Sequence, residues 1–313
     1  GGVLATLTDA NLVLGRLDAG QGLVAGATPL DAAAAAAAIG AHVATPLGLD
    51  PLTAAAGVVR VAVANIARAI RAASSERGYA LGEMALVAYG GAGPLVAADV
   101  ADEAGCPAVI VPPAPGTLCA RGILMSDPTQ DYVETILAPA DAAGWAAAEA
   151  AFRRMADAAD AWLATEAPDP ARRRQTWLIE ARYLGQSFEA ATEVVQGDTA
   201  ADFVERFHAA HAREHGYDIR ARAVEIVNCR VIGTATGMKS APEPVGRDET
   251  AVEPSPIARR DVAFAGADGA VRTVSTAIWD RAALQPGDSV VGPAILMEKT
   301  STTVLPPGWA ARV

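Results

Sequence analysis

The sequence predicts an α/β domain followed by a smaller, β-rich α+β domain, and three observations indicate this. Residues 85–111 read in order as an apolar strand, a glycine-rich loop, a helix and a second apolar strand, the unit from which parallel sheets are built. The segments before this unit are rich in alanine, which favours helix. Beyond Ala138 the pattern changes to one long helix and then to short alternating segments. We therefore expect two domains, at 1–137 and 138–313.

Three helices are expected before the central unit. They span Ala10–Leu17, with Thr8 or Asp9 as N-cap, Ala32–Val43 after Asp31, and Pro51–Ser74 after Asp50. In the third helix the apolar residues recur every three or four positions and should form one buried stripe, made of Val59, Val63, Ile66 and Ile70.

The central unit contains a loop that is almost free of side chains. Its parts are a buried strand at Ala85–Tyr89, the loop residues Gly90, Gly91, Ala92 and Gly93, a helix at Pro94–Ala104 that ends at Gly105, and a strand at Ala108–Val111. Such a loop before a helix can bind phosphate, because the free N–H groups of the helix start face it. The alternative is a tight turn, and loop shape alone favours the turn, since neither G-x-G-x-x-G nor G-x-x-x-x-G-K-[ST] is present.

The elements after the central unit alternate between helix and strand. We expect a helix at Thr117–Met125, packed tightly on the sheet through Ala120 and Gly122. Strands are predicted at Tyr132–Leu137, Gln175–Tyr183, Phe188–Val195, Val224–Gly233, Ala263–Ala265, Val271–Val274, Val290–Met297 and Thr302–Leu305, and helices at Asp141–Glu166 and from Thr199 to about His215. A linker containing proline and glutamate is expected at Lys239–Ile257.

Three histidines on the helix after Thr199 raise the question of a metal site. His208, His211 and His215 are spaced so that they share one helix face, and three such imidazoles could bind zinc. The neighbouring Arg206 and Arg213 instead favour an ordinary polar face, so we expect no metal here.

Composition restricts the class of protein. A net charge of −11 and a pI near 4.9 exclude non-specific nucleic-acid binding, which needs a basic surface. The three cysteines contain no C-x-x-C pair, so the sequence indicates neither a disulfide framework nor a cysteine zinc site. No apolar run is expected to be long enough to cross a bilayer. These features predict a cytoplasmic protein without membrane or nucleic-acid partners.

Several longer motifs follow one another along nearly the whole chain. They are Thr-Asp-Ala-Asn-Leu-Val-Leu-Gly-Arg-Leu at 8–17, Gly-Gly-Ala-Gly-Pro-Leu at 90–95, Val-Pro-Pro-x-Pro-Gly at 111–116, Ala-Arg-Gly-Ile-Leu-Met-Ser-Asp at 120–127, Tyr-Leu-Gly-Gln-Ser-Phe-Glu at 183–189, Val-Glu-Ile-Val-Asn at 224–228 and Ser-Thr-Thr-Val-Leu-Pro-Pro-Gly-Trp at 301–309. Through these motifs the sequence resembles the hydantoinase A/5-oxoprolinase family and is similar to acetone and acetophenone carboxylase subunits. Val96 departs from the family pattern, which usually has histidine after Pro-Leu.

The resemblance implies a fold and a set of ligands. The first domain would be the C-terminal half of an actin-like ATPase domain, with ATP and Mg²⁺ as cofactors and with Gly90, Gly91, Ala92 and Gly93 beside the adenosine. The other half of that domain, which carries the phosphate loops, would precede this chain in the family. Asp9 and Asn11, which helix capping alone would explain, would then lie on the substrate side of the cleft. A hydantoinase B-type subunit and an oligomeric assembly are also implied.

The implied activity is ATP-dependent activation of a carbonyl or cyclic amide by phosphorylation before hydrolysis. The alternatives are a ketone carboxylase subunit of the acetone or acetophenone type, and a non-catalytic assembly fragment of such a complex. No nucleophile or general base stands out in the sequence, so the catalytic residues stay unassigned and the isolated chain is expected to be inactive.

Overall fold

The computed structural model describes residues 2–24, 26–75, 78–237, 246, 254–266 and 268–313. Most of the linker predicted at 239–257 lies outside the described residues, as does Ala267 in the turn between the strands predicted at 263–265 and 271–274. The described helices are α1 (Leu7–Val13), α2 (Ala32–Ile39), α3 (Thr45–Leu47), α4 (Pro51–Ser75), α5 (Gly93–Ala104), α6 (Leu118–Met125), α7 (Ala142–Glu166) and α8 (Ala200–His215). The described strands are β1 (Ala85–Val87), β2 (Ala108–Ile110), β3 (Thr129–Pro139), β4 (Arg173–Tyr183), β5 (Ala190–Glu193), β6 (Val224–Ala235), β7 (Ala258–Ala265), β8 (Val271–Asp280), β9 (Ser289–Val291), β10 (Ala294–Met297), β11 (Thr302–Leu305) and β12 (Ala310–Arg312).

The chain folds into two compact units, and its last strands belong with its first helices. Unit 1 comprises Gly1–Ile123 and Pro242–Val313, and unit 2 comprises Leu124–Ala241. In unit 1, β7 joins the N-terminal segment directly, because the N–H of Ala263 donates to the carbonyl of Leu14 at 2.8 Å. The sequence division at Ala138 stays a prediction, while the compact units group 242–313 with the N-terminal segment.

Unit 1 contains the predicted strand–loop–helix–strand unit. Strands β1 and β2 pair in parallel, with Val87 opposite Ile110, and α5 begins at the end of the glycine loop. Gly105 ends α5 at a φ of +84°, the left-handed conformation expected of a glycine C-cap. The helix is buried along most of its length, whereas Val87 and Ile110 are 49% and 53% exposed. The prediction that the first strand is buried is therefore wrong at Val87, on one face of this sheet.

A second sheet in unit 1 comes from the C-terminal segment. Its strand order is β11–β10–β8–β7, with β10 parallel to β8 and antiparallel to β11. Val262, Ile278 and Ile295 from this sheet pack with Leu12 and Leu95 in one hydrophobic cluster. The turn between β10 and β11 and the glycine loop therefore belong to the same compact unit.

Two packing predictions in unit 1 are corrected. Helix α6 contains no buried residue, and a Cβ added at Gly122 would meet no atom within 4 Å, so this helix is not packed tightly on the sheet. In α4 the structure buries Val59, Val63 and Ala67, whereas Ile66 is 38% exposed. The buried stripe therefore passes through Ala67, where the small side chain allows α5 to approach closely.

Helix α4 also corrects the expectation that no apolar stretch is long enough to cross a membrane. By length and mean hydropathy it meets the requirement for a membrane span. The core helix of a soluble protein can meet the same requirement. In α4, Ala54, Ala55 and Val59 pack in one hydrophobic cluster with Ala10, Leu14 and Val96. A single helix of this kind is a weak indication of a membrane span.

Unit 2 is one antiparallel sheet covered by α7 and α8. The strand order is β3–β6–β4–β5, and β4 and β5 pair as the predicted hairpin. Phe152 stacks on Trp177 with 5.0 Å between ring centroids, and Ile179, Phe203 and Phe207 are completely buried in the same core. Thr199 caps α8 through a capping box with Asp202, as its position predicted.

Candidate nucleotide-binding cleft

The glycine loop turns sharply between β1 and α5 and stays open to solvent. Gly90 has a φ of +80°, which only glycine adopts without strain, and its N–H donates to the carbonyl of Pro115 at 2.8 Å. Gly91 and Ala92 are exposed. Ala92 is the N-cap of α5 and has no capping side chain, so no side chain satisfies the N–H groups at the start of this helix.

The exposed loop residues line a cleft of about 630 Å³ in unit 1. Gly91, Ala92 and Leu95 form one wall. The rest of the lining comes from four other segments of unit 1, namely the N-terminal segment, the residue before β7, the end of β8 and the turn between β10 and β11, with the residues Thr8, Leu17, Gln21, Gly22, Leu23, Val24, Ile257, Asp280, Met297, Glu298, Lys299, Thr300, Ser301 and Thr302. Most of the lining is apolar, and its polar side chains are those of Thr8, Gln21, Asp280 and residues 298–302. Binding sites for small organic ligands commonly have this composition.

The turn between β10 and β11, residues 298–301, is fitted against the glycine loop. Ser301 is buried, and its Oγ lies 3.4 Å from the carbonyl oxygens of both Gly90 and Gly91. A Cβ added at Gly91 would lie 3.4 Å from the carbonyl oxygen of Thr300. At Gly116 it would lie 2.6 Å from both the Cβ and the carbonyl oxygen of Thr300, closer than real side chains approach. Glycine at position 116 is therefore required by space, and it allows the turn to pack there.

One of the two carboxylates at the cleft is neutralised by an ion pair. Arg281 Nη1 lies 2.8 Å from Glu298 Oε2, and both side chains are less than 20% exposed. Arg281 also donates to the carbonyl of Val111 at 2.7 Å. The other carboxylate, Asp280, is exposed and accepts a hydrogen bond from the N–H of Ala282 at 3.0 Å. In the described part of the chain there is no group of three or more His, Cys, Asp or Glu placed to hold a metal ion.

Two of the four residues predicted to lie beside the cofactor line the cleft, and two do not. Gly91 and Ala92 line the cleft, whereas Gly90 and Gly93 are behind its surface, Gly90 at the turn and Gly93 as the first residue of α5. Their role at a nucleotide stays a prediction. The turn residues 298–300 were not assigned a role from the sequence. The signal available was the motif at 301–309, which follows them directly.

Asp9 and Asn11 have structural partners within α1. The helix starts earlier than predicted: Thr6, rather than Thr8 or Asp9, is the N-cap, and its hydroxyl and N–H both bond to the Asp9 carboxylate in a capping box. Asn11 is fully buried and donates from Nδ2 to the carbonyl of Leu7 at 2.9 Å, while its Oδ1 has no partner among the described residues. The residue of this segment that lines the cleft is Thr8. A substrate-side role of Asp9 or Asn11 stays a prediction.

Two of the three histidines of α8, His208 and His211, belong to a buried hydrogen-bonded cluster in unit 2, whereas His215 is exposed. The Tyr183 hydroxyl lies 2.7 Å from His208 Nδ1 and accepts a hydrogen bond from the N–H of Ile219 at 2.8 Å. His211 Nδ1 is 2.8 Å from the carbonyl of Tyr217, so Nδ1 carries the proton and Nε2 is the acceptor, with Gln186 Nε2 at 3.4 Å. These contacts explain why a tyrosine, a glutamine and two histidines occur together in this unit.

Comparison with known proteins assigns the family. A family model described as hydantoinase/oxoprolinase matches residues 1–132, and one described as hydantoinase/oxoprolinase C-terminal domain matches residues 140–313. The chain belongs to the hydantoinase/oxoprolinase family. Its members include caprolactamase, acetone carboxylase and 5-oxoprolinase subunits, so the resemblance stated from the motifs is confirmed.

Alignments with individual relatives cover nearly the whole chain. Caprolactamase subunit alpha of Pseudomonas jessenii is 29% identical over 99% of this chain and 45% of its own length. The crystal structure of the ATP-dependent caprolactamase from that organism matches this chain with a TM-score of 0.74 at 28% identity, covering 100% of this chain and 46% of that chain. A nucleotide-free acetone carboxylase structure, determined for the mechanism of ATP-dependent acetone carboxylation, matches with a TM-score of 0.73 at 25% identity. The match covers 98% of this chain and 45% of the acetone carboxylase chain.

These matches support a mixed α/β fold shared with both enzymes. The chain spans only part of the length of its relatives: 45% of caprolactamase subunit alpha, 44% of the acetone carboxylase beta subunit of Xanthobacter autotrophicus and 25% of 5-oxoprolinase of Saccharomyces cerevisiae. This chain therefore contains residues that match both family models, and its glycine loop lines an open cleft.

Proposed function

We propose that this chain forms the adenosine-binding side of an enzyme that uses ATP to activate a carbonyl oxygen, with a cyclic amide as substrate. The observation that carries the proposal is the open cleft of about 630 Å³ whose wall is formed by Gly91 and Ala92 at the start of α5. The loop offers backbone atoms without side chains, and the lining offers apolar surface for a purine base.

The chemistry follows from the poor reactivity of an amide. When the amide oxygen attacks the γ-phosphorus of ATP, an O–P bond forms, the bond to the β-phosphate oxygen breaks and ADP leaves. Water can then add to the activated carbon, and the ring C–N bond breaks as the protonated nitrogen leaves as an amine, which gives an acyl phosphate. A second water molecule attacks this acyl phosphate, so that the carboxylate forms and inorganic phosphate departs. Such transfer depends on positioning and on neutralisation of charge. The role of this chain would be to hold the nucleotide, and we assign no catalytic base to it.

The actin-like architecture is part of the proposal. A parallel pair of strands is normally covered on both faces and extended at its edges. Among the described residues β1 and β2 form a sheet of two strands, and Val87 and Ile110 are exposed. This favours a larger sheet in the complete protein, completed by the part of the longer relatives that this chain does not match. A B-type partner subunit is proposed as well, since caprolactamase has a subunit named alpha.

Magnesium fits this cleft only through the nucleotide. Glu298 is already paired with Arg281, so Asp280 is the one carboxylate in the described lining without an ion pair. Mg²⁺ at nucleotide sites is commonly held by one or two carboxylates together with phosphate oxygens and water. Asp280 would be the residue of this chain nearest to that role.

A ketone carboxylase is the second candidate, because the acetone carboxylase structure matches with nearly the same TM-score as caprolactamase. The test uses the complete protein with its partner subunit. ADP release is measured with hydantoin, 5-oxoproline or caprolactam, and separately with acetone or acetophenone plus bicarbonate. We expect release that depends on a cyclic amide. Release only with a ketone and bicarbonate would support the carboxylase, and no release with any substrate would support a non-catalytic assembly role.

A further inference from the structure

Lys299 stands at the tip of the turn between β10 and β11, and its charge has no partner in the described part of the chain. The residue is exposed and lines the same cleft as Gly91 and Ala92. The adjacent carboxylate of Glu298 forms an ion pair with Arg281, with 2.8 Å between Oε2 and Nη1.

We propose that Lys299 binds a phosphate group of the nucleotide that lies against the glycine loop. The inference rests on the proposed function and adds to it the residue that neutralises the phosphate. An ammonium group is a compact charge on a flexible stem, which suits it to phosphate oxygens whose positions change during transfer.

The turn that carries Lys299 has a fixed position relative to the loop. Thr300 fills the space left by Gly116, and Ser301 contacts the carbonyl oxygens of Gly90 and Gly91. Because both residues after Lys299 are held, the origin of its side chain is fixed while its end stays free to reach into the cleft. This anchoring distinguishes Lys299 from a lysine on an unattached surface loop.

The start of α5 provides a second, independent reason to expect an anion here. Its N-cap is Ala92, so no side chain satisfies the helix N–H groups, and the twelve-residue helix directs its positive end toward the cleft. A phosphate between the helix start and Lys299 would interact favourably with both. Asp280 is exposed in the same lining, and its carboxylate is engaged by the N–H of Ala282 at 3.0 Å.

The test is calorimetric titration of the complete protein with ATP, ADP and adenosine. For Lys299→Met we expect the Kd for ATP to rise roughly tenfold, the loss of one charge-assisted contact. The Kd for adenosine should change less than twofold, because adenosine has no phosphate. Lys299→Arg should restore most of the ATP affinity. The control is Arg60→Met, which removes an exposed positive charge on α4 outside this cleft and should leave ATP affinity unchanged.

The possible outcomes separate the two proposals. If the unaltered protein does not bind ATP, the proposed function fails. If it binds ATP but Lys299→Met behaves like Arg60→Met, the assignment of Lys299 is overturned while the proposed function stands. If ATP and adenosine weaken equally, Lys299 shapes the cleft and does not contact phosphate. A raised KM for the amide substrate with unchanged ATP affinity would indicate a substrate contact and would also overturn the inference.

Discussion

Thr300 occupies the space that a side chain at Gly116 would need: a Cβ on Gly116 would lie 2.6 Å from the Cβ of Thr300. The two residues belong to different segments of unit 1, one in the loop after β2 and the other in the turn between β10 and β11. Their contact fixes that turn beside the glycine loop, so the C-terminal segment forms one wall of the candidate cleft.

We expect Gly116→Ala to push this turn away from the loop. The new methyl group must displace Thr300, and overpacking of this kind typically costs about 1–3 kcal/mol of stability. Gly116 does not have a positive φ, so the cost would come from space and not from backbone strain. Chemical denaturation of the variant measures it.

Gly122→Ala is the matched control for this variant. Position 122 is in α6, and a Cβ there meets nothing within 4 Å. Alanine should leave stability unchanged or raise it by up to about 1 kcal/mol, since glycine is unfavourable in a helix. Equal stability of the two variants would contradict the close fit of Thr300 to Gly116.

Tyr183→Phe should destabilise unit 2 by about 1–3 kcal/mol, because it leaves buried polar groups without a partner. The Tyr183 hydroxyl accepts from the N–H of Ile219 at 2.8 Å and contacts His208 Nδ1 at 2.7 Å, and Tyr183 is completely buried. Tyr132→Phe is the control, since the Tyr132 hydroxyl makes one contact, with the carbonyl of Ala158 at 3.2 Å, and is solvent-accessible. If both variants unfold at the same denaturant concentration, the buried network contributes nothing measurable.

The three cysteines should differ in reactivity. Cys119 is exposed, whereas Cys106 and Cys229 are buried, and burial, helped by the charge of Glu134, raises the pKa of Cys229 to about 12. With Ellman's reagent at pH 8 we expect one thiol to react in the folded protein and three in denaturant. Cys119→Ser should remove the fast reaction. Rapid reaction of a second thiol in the folded state would show that a core around Cys106 or Cys229 opens readily.

The raised pKa of Cys229 has a consequence for stability at alkaline pH. Its thiol stays protonated in the folded state, while the unfolded chain releases the proton near pH 8.5. The contribution of the Cys229 thiol to the free energy of unfolding is therefore fully present below the pKa of the unfolded chain, and it is lost as the pH rises toward 12.

Asp198 provides a test at acidic pH. Its carboxylate is paired with Arg206, with Nη2 at 2.9 Å from Oδ1, and also accepts from the N–H of Val195 at 2.7 Å. The Arg206 hydrogen bond holds the pKa of Asp198 below its usual value of 3.8. We expect Asp198→Asn to cost about 1–3 kcal/mol at pH 7.

The cost of Asp198→Asn should become smaller in acid. Because the pKa of Asp198 is lower in the folded protein than in the unfolded chain, its carboxylate stabilises the fold at a pH above the unfolded pKa. This stabilisation is lost as the pH falls through the folded pKa. Urea denaturation at pH 7 and at pH 2.5 measures the change. Glu205→Gln is the control, because the Arg220–Glu205 pair is 57% and 65% exposed and should contribute no more than about 1 kcal/mol at either pH. A cost for Asp198→Asn that is independent of pH would contradict the ion pair.

The sequence was most informative where a structure depends on neighbouring residues. Glycine and proline at the ends of α5 predicted its start within one residue, and the parallel pairing of β1 with β2 followed from the short connection through that helix. Thr199 predicted the start of α8 for the same reason. Small residues misled the prediction for α6, because alanine and glycine permit close packing without requiring it.

The cleft could be only half predicted, since its two walls are far apart in the chain. The glycine loop is a local pattern, but Ser301 contacts the Gly91 carbonyl from 210 residues away. No periodicity or spacing relates such residues, so the position of the turn at 298–301, on which the proposed role of Lys299 rests, could not be predicted from the sequence. The apolar stripe of α4 shows the same limit, as the neighbouring helix decides whether Ile66 or Ala67 is buried.

The central claim, that the glycine loop holds a nucleotide, is tested most directly by titrating ATP into the complete protein and its Gly91→Asp variant. Gly91 is exposed at the cleft, and an aspartate there would place bulk and negative charge where the nucleotide is proposed to lie. Gly122→Asp, which places the same side chain at an exposed position of α6 with open space around it, is the control. We expect saturable ATP binding by the unaltered protein and the control, and loss of at least tenfold in affinity for Gly91→Asp with an unchanged unfolding temperature. Equal ATP affinity in all three proteins would contradict the claim.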